Sequence, residues 1–568
     1  HFGLAIAICL GGVALCWSMR YYFSRARITF LRFNRPTMIA SCVWMVGLLA
    51  LLAAPTSLYL GVAGSSSRTT PIVVWSEFCL FISVAMEVVA LTRKAAAGGA
   101  NPSVILVATF GLLIATGTVL LMLPISRGPA APADESLTDR FRIAFFTSTS
   151  ASCVTGLVVV PTGGHDAYWS RLGQIFLLTL IQIGGLGIMT LSAFFAVAAG
   201  RHMPIRERAT LRDALDIDSL GGVKRLVLGI LGFTLTAEMI GAILLYGLWP
   251  AGMSTLDRIY FSVFHSISAF CNAGFSLTDN SFLGMSHRWQ VFLAVPLLII
   301  VGGLGFGVLQ NIFDCVLTRV AKLGWLRHNR TFRDCHVTER SAVARLTLTS
   351  RLVVITTAAL LLAGMCGYLI LERSGNDSHH PTHIRLSDAW FQSVTFRTAG
   401  FNTVDHEKLQ PATKLFAIAL MFVGASPGST GGGVKTACFA LAVMGVITIL
   451  NGRARVEFFG RTIPDVLVNR ALTIITLGLV TLMSTTLLLT VLEDAPSRFL
   501  DHLYEATSAF ATVGVSANMT PKLTPGSQFV LIVTMFLGRV GPLTLLVAVA
   551  GRMQDERYVY PVERVTLG

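Results

Sequence analysis

Cys153-Val154-Thr155-Gly156-Leu157 is the first of four short glycine segments that organise this chain. The other three read Cys271-Asn272-Ala273-Gly274-Phe275, Arg397-Thr398-Ala399-Gly400-Phe401 and Ala511-Thr512-Val513-Gly514-Val515, and we call the four segments glycine turns 1 to 4. Each turn is followed by a second glycine motif, at Gly184, Gly302, Gly424 and Gly538, which lie 28, 28, 24 and 24 residues after the turn glycine. A fourfold internal repeat predicts four copies of one unit around a common axis.

The composition indicates a membrane protein. Hydrophobic residues make up 53% of the 568 residues and charged residues 13%, with a mean hydropathy of +0.68. A soluble domain carries about 25% charged residues. The net charge of +14 would suit nucleic acid, but the basic residues fall between apolar runs, as the positive-inside rule describes. We therefore expect a lipid bilayer and no nucleic acid as the partner of this chain.

Apolar runs predict eleven spans, each able to cross about 30 Å of hydrocarbon. Three are N-terminal, near 3–19, 37–63 and 70–92. The other eight form four repeats, each with a span, a short pore helix, a filter and a second span. The two spans lie near 102–124 and 171–198 in repeat 1 and near 225–249 and 289–313 in repeat 2. They lie near 350–371 and 411–450 in repeat 3, where the second span is broken, and near 466–492 and 525–550 in repeat 4. The predicted fold is an all-α polytopic membrane protein with one central pore. The predicted N-terminal extension covers residues 1–95. Pore repeats 1 to 4 cover 96–222, 223–345, 346–462 and 463–568.

Basic loops predict the orientation in the cell (inner) membrane. Arginine and lysine cluster in the loop after Gly200, between Arg319 and Arg351, between Arg453 and Arg470, and in the C-terminal tail. All four regions fall on one side of the eleven-span arrangement, which the positive-inside rule assigns to the cytoplasm. The glycine turns then face outside.

The chain offers little sign of other chemistry. Its ten cysteines form no CxxC pair and no zinc-ligand spacing, so we read them as small buried side chains. Most histidines lie in loops, which disfavours a multispan enzyme. The start at His1 without Met is typical of a truncation or tag remnant, and nothing there is typical of a cleaved signal peptide. No organic cofactor is expected on this chain.

The glycine turns have the residue types of an ion filter. Glycine permits φ > 0, so successive carbonyl groups can face one axis without a side-chain clash, and carbonyl oxygens can replace the hydration shell of a monovalent cation. Thr512-Val513-Gly514 repeats most of the potassium-channel signature. The predicted K⁺-binding residues are Val154, Thr155, Gly156, Asn272, Ala273, Gly274, Thr398, Ala399, Gly400, Thr512, Val513 and Gly514. A helix-packing glycine repeat is the structural alternative.

The second span of repeat 3 contains Ser426-Pro427-Gly428-Ser429-Thr430-Gly431-Gly432-Gly433. A continuous helix through this run would be unstable, because proline removes a backbone hydrogen-bond donor and glycine has low helix propensity. The corresponding spans of the other repeats lack such a run, so we expect one asymmetric loop in the conduction path, with a static break as the alternative. A phosphate-binding loop is disfavoured because Val434 separates Gly433 from Lys435.

Three charged residues lie within predicted membrane segments. Arg539 is expected to face the pore, where it raises the barrier to cations and contacts the loop; pairing with loop carbonyls for structure alone is the alternative. Arg397 is expected to pair with Glu505 of the fourth pore helix. Glu238 needs a partner that the sequence does not identify.

These motifs resemble those of the Trk/Ktr/HKT superfamily of potassium transporters. The resemblance rests on glycine turns 1 and 3, the run Gly424 to Gly433, and Gly538-Arg539-Val540-Gly541-Pro542-Leu543-Thr544, and it covers residues from about Asn101 to Gly568. Turn 1 is most similar to Ktr-type membrane subunits, whereas residues 1–95 resemble the extra spans of Trk-type subunits.

The resemblance implies potassium uptake by a homodimer, regulated by a cytosolic nucleotide-binding (RCK-type) ring, with Na⁺ as a further coupling or activating ion. Glycine at all four filter positions, including Gly156, accompanies potassium conduction in the superfamily. By resemblance the loop is the gate, with Gly424, Ser426, Pro427, Gly428, Ser429, Thr430, Gly431, Gly432, Gly433, Lys435 and Arg539 as gating residues. A sodium-permeable or poorly selective transporter remains an alternative within this class, and a solute–ion symporter is an alternative of another class.

Overall fold

The computed structural model describes residues 102–132, 134–187, 223–250, 252–322, 346–373, 381–493, 498–542, 544 and 546. The predicted spans near 3–19, 37–63 and 70–92 lie outside these residues, as do most of the basic loops at 201–222 and 323–345 and the tail after 546. The described chain is almost entirely helical.

Four similar helical units follow one another along the described chain. Unit 1 contains α1 (Pro102–Met122), α2 (Leu137–Ser152) and α3 (Arg171–Leu186), and unit 2 contains α4 (Val223–Leu245), α5 (Thr255–Phe270), α6 (Val295–Gly303) and α7 (Phe306–Lys322). Unit 3 contains α8 (Leu348–Leu371), α9 (Thr382–Thr395), α10 (Pro411–Phe422) and α11 (Thr436–Leu450), and unit 4 contains α12 (Asp465–Leu492), α13 (Phe499–Phe510) and α14 (Pro525–Val540). A π-helical turn, Gln290–Ala294, leads into α6.

The first helix of each unit has the length and composition of a membrane span. Among the described residues, four helices are long and apolar enough to cross a membrane, namely the main parts of α1, α4, α8 and α12, or five spans if one bent pair is counted as a single span. These four helices begin and end within a few residues of the predicted first spans. The second helices α3, α10 and α14 are apolar but shorter.

The second spans depart from the prediction, because repeat 3 is not the only one that is broken. The expected span at 289–313 bends by 106° between Gly303 and Phe306, and Gly305 at the bend has φ +88°. Within the expected spans at 171–198 and 525–550, helices α3 and α14 end at Leu186 and Val540, and most of the residues beyond them lie outside the described part of the chain. Gly187 and Gly541, which cap these two helices, also have positive φ, +78° and +89°. In units 1, 2 and 4, a left-handed glycine three residues after the downstream glycine thus interrupts the helix.

The all-α prediction also misses one small hairpin. Strand β1 (Glu457–Phe458) pairs antiparallel with β2 (Arg461–Thr462), with Glu457 opposite Thr462 and Phe458 opposite Arg461. The hairpin lies between α11 and α12, in the stretch that the sequence analysis assigned to a basic loop.

Each short helix is covered by its neighbours. The second half of α2, for example, is buried from Phe146 to Ser152, and Tyr504 to Phe510 of α13 are buried in the same way. Helices α2 and α5 begin with a serine cap, because Ser136 Oγ accepts from Asp139 N at 3.1 Å and Ser254 Oγ accepts from Asp257 N at 3.2 Å. The polar caps stay exposed and the C-terminal ends point into the core.

A serine–glycine contact fixes the short helix in three of the units. Ser148, Ser266 and Ser393 donate to Ile114 O, Glu238 O and Leu361 O of the first helix, at 2.8, 2.6 and 2.6 Å. Each serine lies against a glycine of that helix, Gly117, Gly241 or Gly364, where a Cβ would lie 2.3 to 2.4 Å from the serine oxygen. Close approach of two backbones therefore depends on these glycines. Unit 4 has Ala506 at the serine position.

Candidate functional site

The four glycine turns share an unusual backbone conformation. Their glycines have φ of +97°, +69°, +82° and +93° in chain order. The residue two positions earlier is also left-handed in every turn, with φ of +58° at Val154, +59° at Asn272, +71° at Thr398 and +51° at Thr512. Left-handed φ is rare for residues other than glycine, and for β-branched residues it is a real strain. Its recurrence at one position of all four turns indicates a common structural demand.

The turns lie against one another in a closed ring. A Cβ built on Gly156 would lie 2.4 Å from Ala273 O of turn 2, and one on Gly274 would lie 3.0 Å from Ala399 O of turn 3. A Cβ on Gly400 would lie 2.7 Å from Val513 O of turn 4, and one on Gly514 would lie 2.1 Å from Thr155 O of turn 1. The carbonyl before each glycine thus borders the glycine of the preceding turn. Twelve predicted site residues are brought together by this ring.

Side-chain hydroxyls of the short helices hold the turns in place. Ser150 Oγ accepts from Gly156 N, and Ser508 Oγ accepts from Gly514 N, each at 3.1 Å. In the other two units the hydroxyl donates to the carbonyl after the glycine: Ser268 to Phe275 O at 2.8 Å and Thr395 to Phe401 O at 2.6 Å. The sequence analysis did not single out these hydroxyls, although they recur five or six residues before each turn glycine.

The glycine-rich run of unit 3 forms a compact loop beneath the turns. Its ends are joined, because Gly424 N donates to Val434 O at 2.8 Å. Gly432 N donates to Thr512 Oγ1 at 3.0 Å, and a Cβ on Gly431 would lie 2.3 Å from Thr398 Oγ1. The loop therefore touches turns 3 and 4 directly. Glycine is required at both positions because a side chain would enter the turn residues.

The loop is also tied to unit 2. Ser426 N donates to Gly303 O at 3.1 Å, and Thr430 N donates to Gly302 O at 3.3 Å. In return, Phe306 N donates to Gly428 O at 3.1 Å, across the bend between α6 and α7. The bend in unit 2, which the sequence analysis missed, gives the loop these backbone partners.

Three cationic side chains donate to carbonyl groups of the loop. Arg539 donates to Thr430 O and also to Gly184 O of unit 1. Lys435 Nζ donates to Gly431 O at 2.7 Å, and Arg397 Nη2 donates to Gly424 O at 3.3 Å. None of the three forms an ion pair with a carboxylate among the described residues. Because hydrogen bonds from charged donors are stronger than neutral ones, these contacts fix the loop at its start and at its tip.

The predicted pair of Arg397 and Glu505 is wrong. Arg397 donates to two backbone carbonyls, Thr357 O at 3.4 Å and Gly424 O, and not to a carboxylate. Glu505 instead accepts from Ser516 Oγ, from Ala517 N at 3.0 Å and from Thr520 Oγ1 at 3.0 Å. Arg397 lies in turn 3 and contacts the loop, whereas Glu505 lies on α13 and contacts the strand after turn 4, so the two side chains do not pair.

Glu238 has a partner that the sequence did not identify. Gln182 Nε2 of α3 donates to Glu238 Oε1 of α4 at 2.9 Å, so the contact joins units 1 and 2. The same amide lies 3.6 Å from Cys271 Sγ, at the start of turn 2. A polar side chain from the neighbouring unit thus satisfies the buried carboxyl group.

Comparisons with known proteins agree with this architecture. Residues 73–560 match the model of the family described as TrkH, cation transport protein. The chain is 34% identical to the potassium/sodium uptake protein NtpJ of Enterococcus hirae, over 82% of this chain and 97% of that protein. It is 35% identical to Ktr system potassium uptake protein B of Vibrio alginolyticus, over 84% of this chain and 97% of that protein. The crystal structure of the potassium transporter TrkH from Vibrio parahaemolyticus has the same fold, with a TM-score of 0.59 and 16% identity over 91% of this chain and 98% of that one.

Proposed function

Since the chain belongs to the TrkH family of cation transport proteins, we propose that it takes up potassium ions through a path lined by the four glycine turns. The family consists of transporters and not enzymes, and its apolar helices make this a multi-pass membrane protein. The relatives from Vibrio alginolyticus and Enterococcus hirae are named as potassium and potassium/sodium uptake proteins, which supports potassium as the transported ion.

The closed ring of turns carries this proposal. Thr155 O, Ala273 O, Ala399 O and Val513 O each border the glycine of an adjacent turn. Carbonyl groups of such a ring can replace water around K⁺, and the strands contribute no carboxylate, so selectivity would rest on carbonyl number and spacing. The site is thus a filter for a bare monovalent cation.

Sodium permeation is the second candidate, because the Enterococcus hirae relative is a potassium/sodium uptake protein by name. It would use the same ring with weaker discrimination between the two ions. Na⁺ could also act as a coupling or activating ion. A solute–ion symporter would require a solute site between inverted halves, whereas the four units here run in the same sense.

The loop beneath the turns is the proposed gate. It contacts Thr398 and Thr512 from below and so occupies the exit of the filter. Arg539 and Lys435 hold its tip, and their positive charges oppose a cation leaving the filter. Opening then requires exchange of these carbonyl contacts for water or for other partners.

Two copies of the chain and a separate cytosolic ring of the RCK type complete the proposed assembly. The predicted docking surfaces are the basic loops around Arg206–Lys224 and Arg319–Arg345 and the C-terminal tail, which lie almost wholly outside the described residues. We place these loops in the cytoplasm and the glycine turns toward the outside. Anionic lipid headgroups are the competing partner for such loops.

Ion flux into liposomes tests the proposed function. Purified protein should carry K⁺, or Rb⁺ as its tracer, at least about tenfold faster than Na⁺ at equal concentration, because loss of the carbonyl fit for the smaller ion costs about 1.4 kcal/mol or more. Liposomes without protein provide the background. Equal rates for the two ions would support the sodium-permeable alternative, and flux of neither ion would overturn the proposal.

A further inference from the structure

One position of the short helices faces the strand that leaves each glycine turn. It is occupied by Thr147, His265, Gln392 and Glu505, each of which directly precedes the residue that packs on the first helix of its unit. All four side chains are buried, with at most 1% of their surface exposed. Although equivalent in the fold, the four residues differ completely in their hydrogen-bonding chemistry.

Glu505 makes the strongest contacts of the four. One carboxylate oxygen accepts from Ser516 Oγ and Ala517 N, and the other accepts from Thr520 Oγ1. These partners lie on the strand just after Gly514 and on the 3₁₀ turn Thr520–Lys522 that follows. A carboxylate that accepts several hydrogen bonds forms charge-assisted contacts about twice as strong as neutral ones. The exit strand of turn 4 is therefore fixed on its buried side.

His265 and Gln392 make weaker versions of the same contact. His265 Nε2 accepts from Leu277 N at 3.3 Å and lies 3.0 Å from Ser276 Oγ, while His265 Nδ1 lies 2.8 Å from Phe261 O. The backbone donor at Leu277 assigns the ring proton to Nδ1. Gln392 Nε2 donates to Thr403 Oγ1 at 3.2 Å. Both neutral side chains thus hold the strand after their own turn.

Thr147 completes the series without a side-chain hydrogen bond among the described residues. Its hydroxyl is buried and has no hydrogen-bond partner in the described structure. The exit strand of turn 1 therefore receives no hydrogen bond from this position of the short helix. The hydrogen bonds that this position gives to the exit strands are absent at turn 1 and most numerous at turn 4.

We propose that Glu505 is the positioning residue for turn 4 and that its hydrogen bonds to the exit strand determine ion selectivity. The inference rests on the proposed function, since it concerns how the carbonyl ring keeps its width. A strand fixed just after Gly514 cannot move inward to meet the smaller Na⁺, so the oxygen positions stay matched to K⁺. Loss of these hydrogen bonds would let the carbonyl ring narrow around Na⁺. The preference for K⁺ over Na⁺ would then fall, while the ion path would stay open.

Removal of single partners of Glu505 provides the test. Thr520→Val is nearly isosteric and removes one donor to the carboxylate, and Ser516→Ala removes another. Thr147→Val makes the same threonine-to-valine change at the equivalent position of unit 1, where the hydroxyl has no partner. We expect Thr520→Val to lower the K⁺-to-Na⁺ flux ratio about tenfold, the size of one lost hydrogen bond to a charged group, and Thr147→Val to leave it unchanged.

Two substitutions of Glu505 test the contributions of its charge and of its acceptor oxygens. Glu505→Gln keeps an acceptor oxygen and should retain part of the selectivity, whereas Glu505→Ala leaves the donors unpartnered and should lose it. The second readout is the protection that K⁺ and Na⁺ each give against thermal unfolding of the detergent-purified protein, since an ion that binds the folded state raises its stability. In Thr520→Val the difference between the two ions should shrink.

The outcomes separate this inference from the proposed function. If the wild-type protein does not prefer K⁺, the proposed function itself fails. If the wild type prefers K⁺ but Thr520→Val and Ser516→Ala retain the ratio of Thr147→Val, the positioning role of Glu505 is overturned. If Thr520→Val does not fold, Ser516→Ala decides, because Ser516 is only partly buried and tolerates truncation better.

Discussion

Gly514 lies directly against the backbone of Thr155, so that a Cβ at Gly514 would come within 2.1 Å of the Thr155 carbonyl oxygen. The two residues belong to the last and first turns, at opposite ends of the described chain. Their contact closes the ring that begins with Gly156 beside Ala273. Closure of the ring is the reason that each turn requires glycine, because any side chain would displace a neighbouring carbonyl.

Gly156→Ser is expected to reduce the preference for K⁺ over Na⁺. Its Cβ would lie 2.4 Å from Ala273 O, and φ of +97° is strained for serine. We expect the flux ratio in liposomes to fall at least about tenfold. Gly111→Ser on α1 is the matched control, because nothing lies within 4 Å of a Cβ there. An unchanged ratio in Gly156→Ser would remove this glycine from the filter.

Deletion of Gly431-Gly432-Gly433 is expected to raise K⁺ flux in the absence of any regulator. These residues lie against Thr398 and Thr512, so a shorter loop should withdraw from the turns. Uptake by potassium-requiring cells and flux into liposomes both measure the change. If flux stays at the wild-type level, the loop is a static break and not a gate.

Arg539→Gln is expected to open the path partly. It replaces the charged contacts to Thr430 O and Gly184 O and lowers the barrier to a cation, so basal K⁺ flux should rise about tenfold. Arg539→Lys keeps the charge and should give a smaller rise. Arg498→Gln removes the same charge from an exposed site and serves as the control. Flux that falls in Arg539→Gln would assign the arginine to structure alone.

Gly241→Ala is expected to destabilise the protein. The new Cβ would lie 2.3 Å from Ser266 Oγ and 2.6 Å from a methyl group of Leu298. Overpacking of this kind costs about 1–3 kcal/mol. Gly229→Ala lies on the same helix, where a Cβ meets nothing within 4 Å, and should be neutral or slightly stabilising. Thermal unfolding in detergent distinguishes the two variants, and equal midpoints would contradict the serine–glycine packing.

Charge reversal at Arg327, Arg330 and Arg333 is expected to weaken co-purification of a nucleotide-binding ring. The predicted docking is electrostatic, so binding should also weaken as the salt concentration rises. Dimer assembly of the membrane chain, measured by size-exclusion chromatography, should be unaffected. Stoichiometric binding of ATP or NADH by the pure chain, with opening in response, would contradict regulation by a separate subunit.

The periodic part of the architecture could be predicted from sequence. Residues 102–124, 225–249, 350–371 and 466–492 were expected to be spans, and α1, α4, α8 and α12 occupy nearly the same positions. Long apolar runs give a strong signal because lipid requires every backbone group to be satisfied within the segment. The glycine turns were equally visible, since glycine at Gly156, Gly274, Gly400 and Gly514 reports a local backbone demand that other residues meet poorly.

Contacts between polar side chains that are distant in sequence depended on the tertiary structure. No local rule joins Glu505 to Thr520 rather than to Arg397, or Glu238 to Gln182 across two units. The bend at Gly305 also escaped sequence reasoning, because the four glycines between 302 and 307 lie in an apolar run that is compatible with a continuous helix until the loop of unit 3 packs against it. The sequence alone determined four units with glycine at their turns, because backbone conformation and hydrophobic length are local properties. Only packing decided which polar side chains meet, because burial forces each group to find whichever partner the neighbouring helix presents.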